Sequence, residues 1–84
     1  MDQADDTVSI TVASWSRLGE RIRELREERG LTRDQLAQRA RVSAIYIRKL
    51  EAGERISPAL PTLERIAEAL GATVTLTLEV KRRR

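Results

Sequence analysis

The segment from Leu31 to Gly53, LTRDQLAQRARVSAIYIRKLEAG, constrains the fold of this chain more than any other. Thr32 followed three residues later by Gln35 is a capping-box pair. The threonine oxygen accepts from the amide of the third helical residue, and the glutamine side chain reaches back to the cap amide. Leu36, Ala37 and Ala40 then recur at helical spacing, the pattern breaks at Arg41-Val42, and Ser43 is a second N-cap. Beyond it Ile47 and Leu50 face inward, which leaves Ala44, Ile45, Arg48 and Lys49 largely on the outer side. Two short helices joined by a tight turn are expected, the second with a small, donor-bearing outer face. Such a helix, braced by another, has the shape to enter the major groove of DNA.

A chain of 84 residues supports one small domain with one core, marginally stable alone, so self-association is favoured. Cysteine and histidine are both absent, which excludes disulfides, Cys/His zinc sites and every His-based catalytic arrangement. There is no GxGxxG or phosphate-cradling loop, and the adjacent carboxylates Asp5–Asp6 and Glu27–Glu28 read as solvated surface. No enzymatic activity, cofactor or metal is expected. No apolar run approaches the roughly 20 residues needed to span a bilayer, and the N-terminus is acidic. A soluble, cytoplasmic protein without a membrane partner is expected.

The formal net charge of +3 is unevenly spread. Residues 1–16 carry three Asp and no Lys or Arg, whereas residues 31–57 hold six basic and three acidic residues, and the chain ends in KRRR. Positive charge thus falls on the paired short helices and on the C-terminal tip, as a phosphate-binding face requires. The KRRR tail serves either phosphate binding or solubility.

The flanks supply the rest of the fold. Thr7–Val12 alternates, with Val8, Ile10 and Val12 on one face, and predicts either a strand or an arm that orders on a partner. Trp15 is an anchor over the core or an interface. A first helix is expected from about Arg17 to Arg29 on the stripe Leu18, Ile22, Leu25, ended by Gly30. After the loop ERISPALP, Pro61 opens a fourth helix that buries Leu63, Ile66, Ala67 and Leu70 and stops at Gly71. Thr73–Val80 then alternates strictly, with Val74, Leu76, Leu78 and Val80 on one side. This strand pairs with Thr7–Val12, with its twin in another subunit, or with both. Intersubunit pairing is favoured over an intrachain hairpin-like pairing, because an exposed apolar edge is an aggregation hazard that self-association removes.

The ordered set RG-LT-x-x-x-LA, VS-x-x-YI-x-x-LE-x-G and TL-x-x-IA-x-ALG, from Leu18 to Gly71, resembles the XRE-type (Cro and phage-repressor) helix-turn-helix family. The resemblance implies a mainly α fold: a four-to-five-helix lambda-repressor-like DNA-binding domain, here with a C-terminal β-strand and a possible N-terminal strand. It divides the chain into an N-terminal arm (1–16), the helix-turn-helix domain (17–71) and a dimerisation strand with basic tail (72–84). It implies that Ser43, Ala44, Ile45, Arg48 and Lys49 lie at or beside base edges and that Tyr46 lies near the sugar-phosphate backbone. Arg33 and Arg55 become phosphate contacts, and Arg26 and Glu51 an ion pair tying the first helix to the third. Relatives commonly carry Gln, Ser or Arg where this chain has Ala44 and Ile45, which can touch a thymine methyl but cannot hydrogen-bond a base.

Family members bind palindromic operators in double-stranded DNA as homodimers, which implies a transcriptional repressor with Val74, Leu76, Leu78 and Val80 at the dimer interface. A strand in place of a fifth helix is also similar to HigA- and HipB-type antitoxins of type II toxin–antitoxin modules. That likeness implies an autoregulatory antitoxin with a cognate toxin partner, bound through Val8, Ile10, Val12 and Trp15. The alternative is a protein-interaction module on the same scaffold without specific DNA binding.

Overall fold

The structure is a computed structural model and describes residues 7–9, 15–54, 56, 58–75 and 80. In chain order its elements are β1 (Thr7–Ser9), α1 (Trp15–Glu28), α2 (Arg33–Ala40), α3 (Ala44–Glu51), α4 (Leu60–Ala69) and β2 (Thr73–Thr75). The mainly helical architecture with a C-terminal strand is as expected, and the described part of the N-terminal segment is a strand.

The helix boundaries follow local chemistry. Thr32 and Gln35 form the full capping box, with Thr32 Oγ1 accepting from the Gln35 amide at 3.0 Å and the Thr32 amide donating to Gln35 Oε1 at 2.9 Å. Ser43 caps α3 by accepting from the Tyr46 amide at 3.0 Å. Helix α1 begins at Trp15, two residues before the expected Arg17, and helix α4 begins at Leu60, one residue before Pro61.

All four helices end alike. In each, a residue of positive φ is followed by an amide that reaches back five residues: Leu31 to Arg26, Val42 to Ala37, Glu54 to Lys49 and Ala72 to Ala67. This closure satisfies carbonyls that the helix leaves without partners. Three of the four left-handed positions are glycine and the fourth is Arg41, at φ 61°. A side chain there costs on the order of 1 kcal/mol.

The core gathers one face of each helix: Leu18, Ile22 and Leu25 from α1, Leu36, Ala37 and Ala40 from α2, Ile47 and Leu50 from α3, and Leu63, Ile66 and Ala67 from α4. Leu31 and Leu70 close it at helix ends, and Arg65 Nε donates to the Ala40 carbonyl at 2.9 Å, fastening α4 to the end of α2.

The strands pair within the chain, one of the expected alternatives, but not in the hairpin-like direction expected for it. β1 and β2 pair within the chain and in parallel, with Thr7, Val8 and Ser9 opposite Thr73, Val74 and Thr75. A hairpin joins neighbours that run in opposite directions, whereas the whole helical unit lies between these two strands as a crossover. Val74 packs against the chain's own core and Val80 is 89% exposed. Ile10, Val12, Leu76, Leu78 and the KRRR tail lie outside the described residues.

Gly19 sets the distance between α1 and α3. It is buried, and a Cβ there would lie 2.0 Å from the Leu50 carbonyl oxygen, a backbone atom that cannot swing aside. Gly19→Ala is expected to destabilise the fold by about 1–3 kcal/mol through overpacking, read as a lower urea midpoint. An unchanged midpoint would mean that the two helices have room between them.

Candidate nucleic-acid interface

Helix α3 divides into two faces. Ile47 and Leu50 are fully buried, and on the other side Ile45, Arg48 and Lys49 are exposed, with Ile45 at 58%. One residue expected largely on the outer side, Ala44, sits partly inward. Ala44 is half-buried and packs against the core, as does Tyr46. Burial pushes the Tyr46 phenol above its ordinary range, so it stays neutral. Ser43 is exposed, but its oxygen is engaged by the Tyr46 amide, which leaves its hydroxyl proton to donate.

The inner end of α3 is held by charge. Arg26 Nε donates to Glu51 Oε2 at 2.6 Å and Arg26 Nη2 to Glu51 Oε1 at 3.2 Å, the side chains being 9% and 2% exposed. Arg26 Nη1 also donates to the Leu31 carbonyl at 2.8 Å. The Glu51 hydrogen bonds raise the Arg26 pKa further, and burial opposes them with a smaller effect. The ion pair expected between the first and third helices is thus formed and bidentate, the arrangement that suits a guanidinium best.

A third member joins it. Arg33, the first residue of α2, donates from Nε to Glu51 Oε1 at 3.0 Å while its side chain stays 45% exposed. This contact has no signature in sequence, since an arginine opening a helix reads the same whether it meets a carboxylate or a phosphate. The geometry does not remove Arg33 from the outer surface. Arg33 lines an open groove with Thr32, Asp34, Ile45 and Arg48, between the start of α2 and α3. Arg55 lies outside the described residues.

Two capped helices, a left-handed turn between them and an exposed face on the second form a helix-turn-helix. A family model described as a helix-turn-helix domain, HTH_31, matches residues 17–80. The chain belongs to this helix-turn-helix family. It is 45% identical over 58 residues to an immunity repressor protein of Bacillus phage phi105, covering 69% of this chain and 40% of that protein. It is 46% identical over 63 residues to the HTH-type transcriptional regulator DdrOP3 of Deinococcus deserti, covering 75% of this chain and 48% of the relative. The chain therefore spans less than half the length of these two relatives. Among solved structures, the restriction-modification controller protein C.AhdI of Aeromonas hydrophila superposes with a TM-score of 0.67 at 31% identity, over 73% of this chain and 91% of that one. The first two of these carry the names of a repressor and a transcriptional regulator. None of the helices among the described residues is long and apolar enough to cross a membrane.

Glu51 carries a charge that two arginines share and water scarcely reaches. Glu51→Gln, which strands the buried Arg26, is expected to cost about 3–5 kcal/mol. Arg33→Gln should cost about 1 kcal/mol or less, because that partner is half in solvent. Urea denaturation of the two variants checks the contrast; equal losses would place Arg33, not Arg26, at the centre of the cluster.

Proposed function

We propose that this chain is a sequence-specific DNA-binding transcriptional repressor that acts in the cytoplasm as a homodimer on a palindromic operator. The observation that carries this reading is the outer face of α3, where Ile45, Arg48 and Lys49 are exposed on a short capped helix whose inner face is locked into the core. The names of the relatives support it. In this reading α3 enters the major groove with Ser43, Ile45, Arg48 and Lys49 at or near base edges. Ala44, half-buried, lines the groove beside Ile45. Arg33 and Arg55 hold phosphates, and Tyr46 lies against the backbone. Phosphate contacts fix the register of the protein on DNA, and base contacts choose the sequence.

One short helix reads too few base pairs to select a site in a genome, which is the physical case for a two-fold dimer with half-sites about one helical turn apart. The strand after α4 supports the dimer. Among the described residues β2 is paired on one edge, with β1, so its second edge is available to a symmetry mate. Val74, Leu76, Leu78 and Val80 then form the interface.

The finer proposal is an autoregulatory antitoxin whose toxin binds through Val8, Ile10, Val12 and Trp15. It is supported by the strand in place of a fifth helix and by the acidic first sixteen residues, which suit a basic partner. Co-expression with the product of the adjacent gene tests it: a complex that dissociates when Val8 and Ile10 are replaced by Asp supports the antitoxin, and separate elution of the two proteins overturns it.

Fluorescence anisotropy against the DNA upstream of the chain's own gene, with a scrambled duplex as control, tests the repressor. Preference for the native duplex is expected, with affinity falling about 10³–10⁵-fold between roughly 50 and 200 mM salt if several phosphates are neutralised. Equal, weak and salt-insensitive binding to both duplexes would favour the protein-interaction module instead. Sedimentation should give twice the 9.5 kDa protomer mass.

A further inference from the structure

We propose that Glu51 is a positioning residue for DNA binding: it holds Arg33 by Nε from within the fold, so that the Nη edge of the same guanidinium is offered to a backbone phosphate. This rests on the DNA-binding reading above and names what organises one of its phosphate contacts.

Arg33 bonds to a buried carboxylate while its own side chain stays half in solvent. A guanidinium is planar and carries one donor on Nε and the rest on its two Nη groups. Here Nε donates to Glu51 Oε1 at 3.0 Å, and no described residue takes the Nη protons. The Nη1–Nη2 edge that remains can take an oxyanion through two parallel hydrogen bonds. Asp34, the next residue, lines the same open groove as Arg33, Thr32 and Arg48, yet the ion pair of Arg33 is with Glu51.

Glu51 cannot follow Arg33 outward. Its side chain is buried, and Arg26 binds both of its oxygens, at 2.6 and 3.2 Å. Arg33 is therefore tethered to a fixed point. A long side chain that is free in solvent loses rotamer freedom when it grips a phosphate, and one already held at Nε loses less. Lysine cannot reproduce the arrangement, because a single ammonium nitrogen does not span from a carboxylate inside the fold to a phosphate outside it.

Net charge alone predicts the opposite role for Glu51. Removing an anion from a DNA-binding surface makes the protein more cationic and favours association with a polyanion. A positioning role predicts that neutralising Glu51 weakens DNA binding, and that it does so through Arg33.

Fluorescence anisotropy with the full-length chain, on the upstream duplex and the scrambled one, separates the two, since phosphate contacts form on any sequence. Arg33→Lys keeps the charge and should nonetheless bind about five-fold more weakly, with a salt slope smaller by about 0.9. Glu51→Gln, measured at a temperature where circular dichroism shows it folded, should also bind about five-fold more weakly, and should cause no further loss in the Arg33→Gln background. A loss that persists in that background places the effect in Arg26 and the helix packing, and overturns the positioning role. Should Glu51→Gln fail to fold, isotope-edited NMR of the unaltered Glu51 protein decides. The Arg33 Nε–H resonance, identified by its absence from Arg33→Lys, should be protected from water exchange in the free chain and stay so when DNA is added. Loss of that protection on DNA would mean that Arg33 leaves Glu51 for the phosphate, and overturns the inference. Salt-dependent DNA binding that Arg33→Lys leaves unchanged overturns this inference alone, whereas binding to neither duplex overturns the DNA-binding reading and this inference with it.

Discussion

The Glu51 carboxylate is the constraint on which the arrangement of the first three helices depends. It closes α3, its side chain is 2% exposed, and it has two oxygens to satisfy. Arg26 of α1 engages both and Arg33 of α2 shares one, so three helices meet at a single buried charge. Such a cluster adds little net stability over an apolar substitute, because desolvation offsets most of the attraction. Its effect is geometric. A carboxylate that would be costly unpaired accepts few orientations of its partners, and so fixes the helices that carry them. Gly19 works at the same seam, letting α1 approach the Leu50 carbonyl more closely than any other residue would permit. With the inner side of α3 fixed at its end by charge and along its length by Ile47 and Leu50, the outer side is presented as a rigid surface.

What could be read from the sequence was what depends on near neighbours. The capping box at Thr32, the Ser43 cap, the glycine stops at Gly30 and Gly71 and the stripe Leu18–Ile22–Leu25 are local patterns, and the structure contains each of them. The Arg26–Glu51 pair spans 25 residues and was accessible only through family resemblance. The share of Glu51 taken by Arg33 was not accessible at all. Helical spacing puts Ala44 on the outer side, yet it lies at the first turn, where the half-buried Val42 and Tyr46 also pack on the core. Alternation in Thr7–Val12 and Thr73–Val80 predicted strands but carried no direction. The parallel pairing follows from where α1 and α4 leave their chain ends, which is a property of the packed unit.

The distribution of charge along α3 is not the one that would best stabilise a free helix. An acidic residue in the first turn would stabilise the free helix by about 0.3–1 kcal/mol through the macrodipole, and α3 has none. Its cap is a neutral serine, and its two cations stand in the last turn, where the dipole favours them. The turn before it holds Arg41 in a left-handed conformation that glycine would adopt without strain. Each departure costs a free helix a little, and the start of α3 is left without negative charge. On the DNA-binding reading proposed above, a polyanion supplies the missing negative charge from outside, so a sequence suboptimal for the isolated helix becomes complementary once a phosphate backbone lies across it.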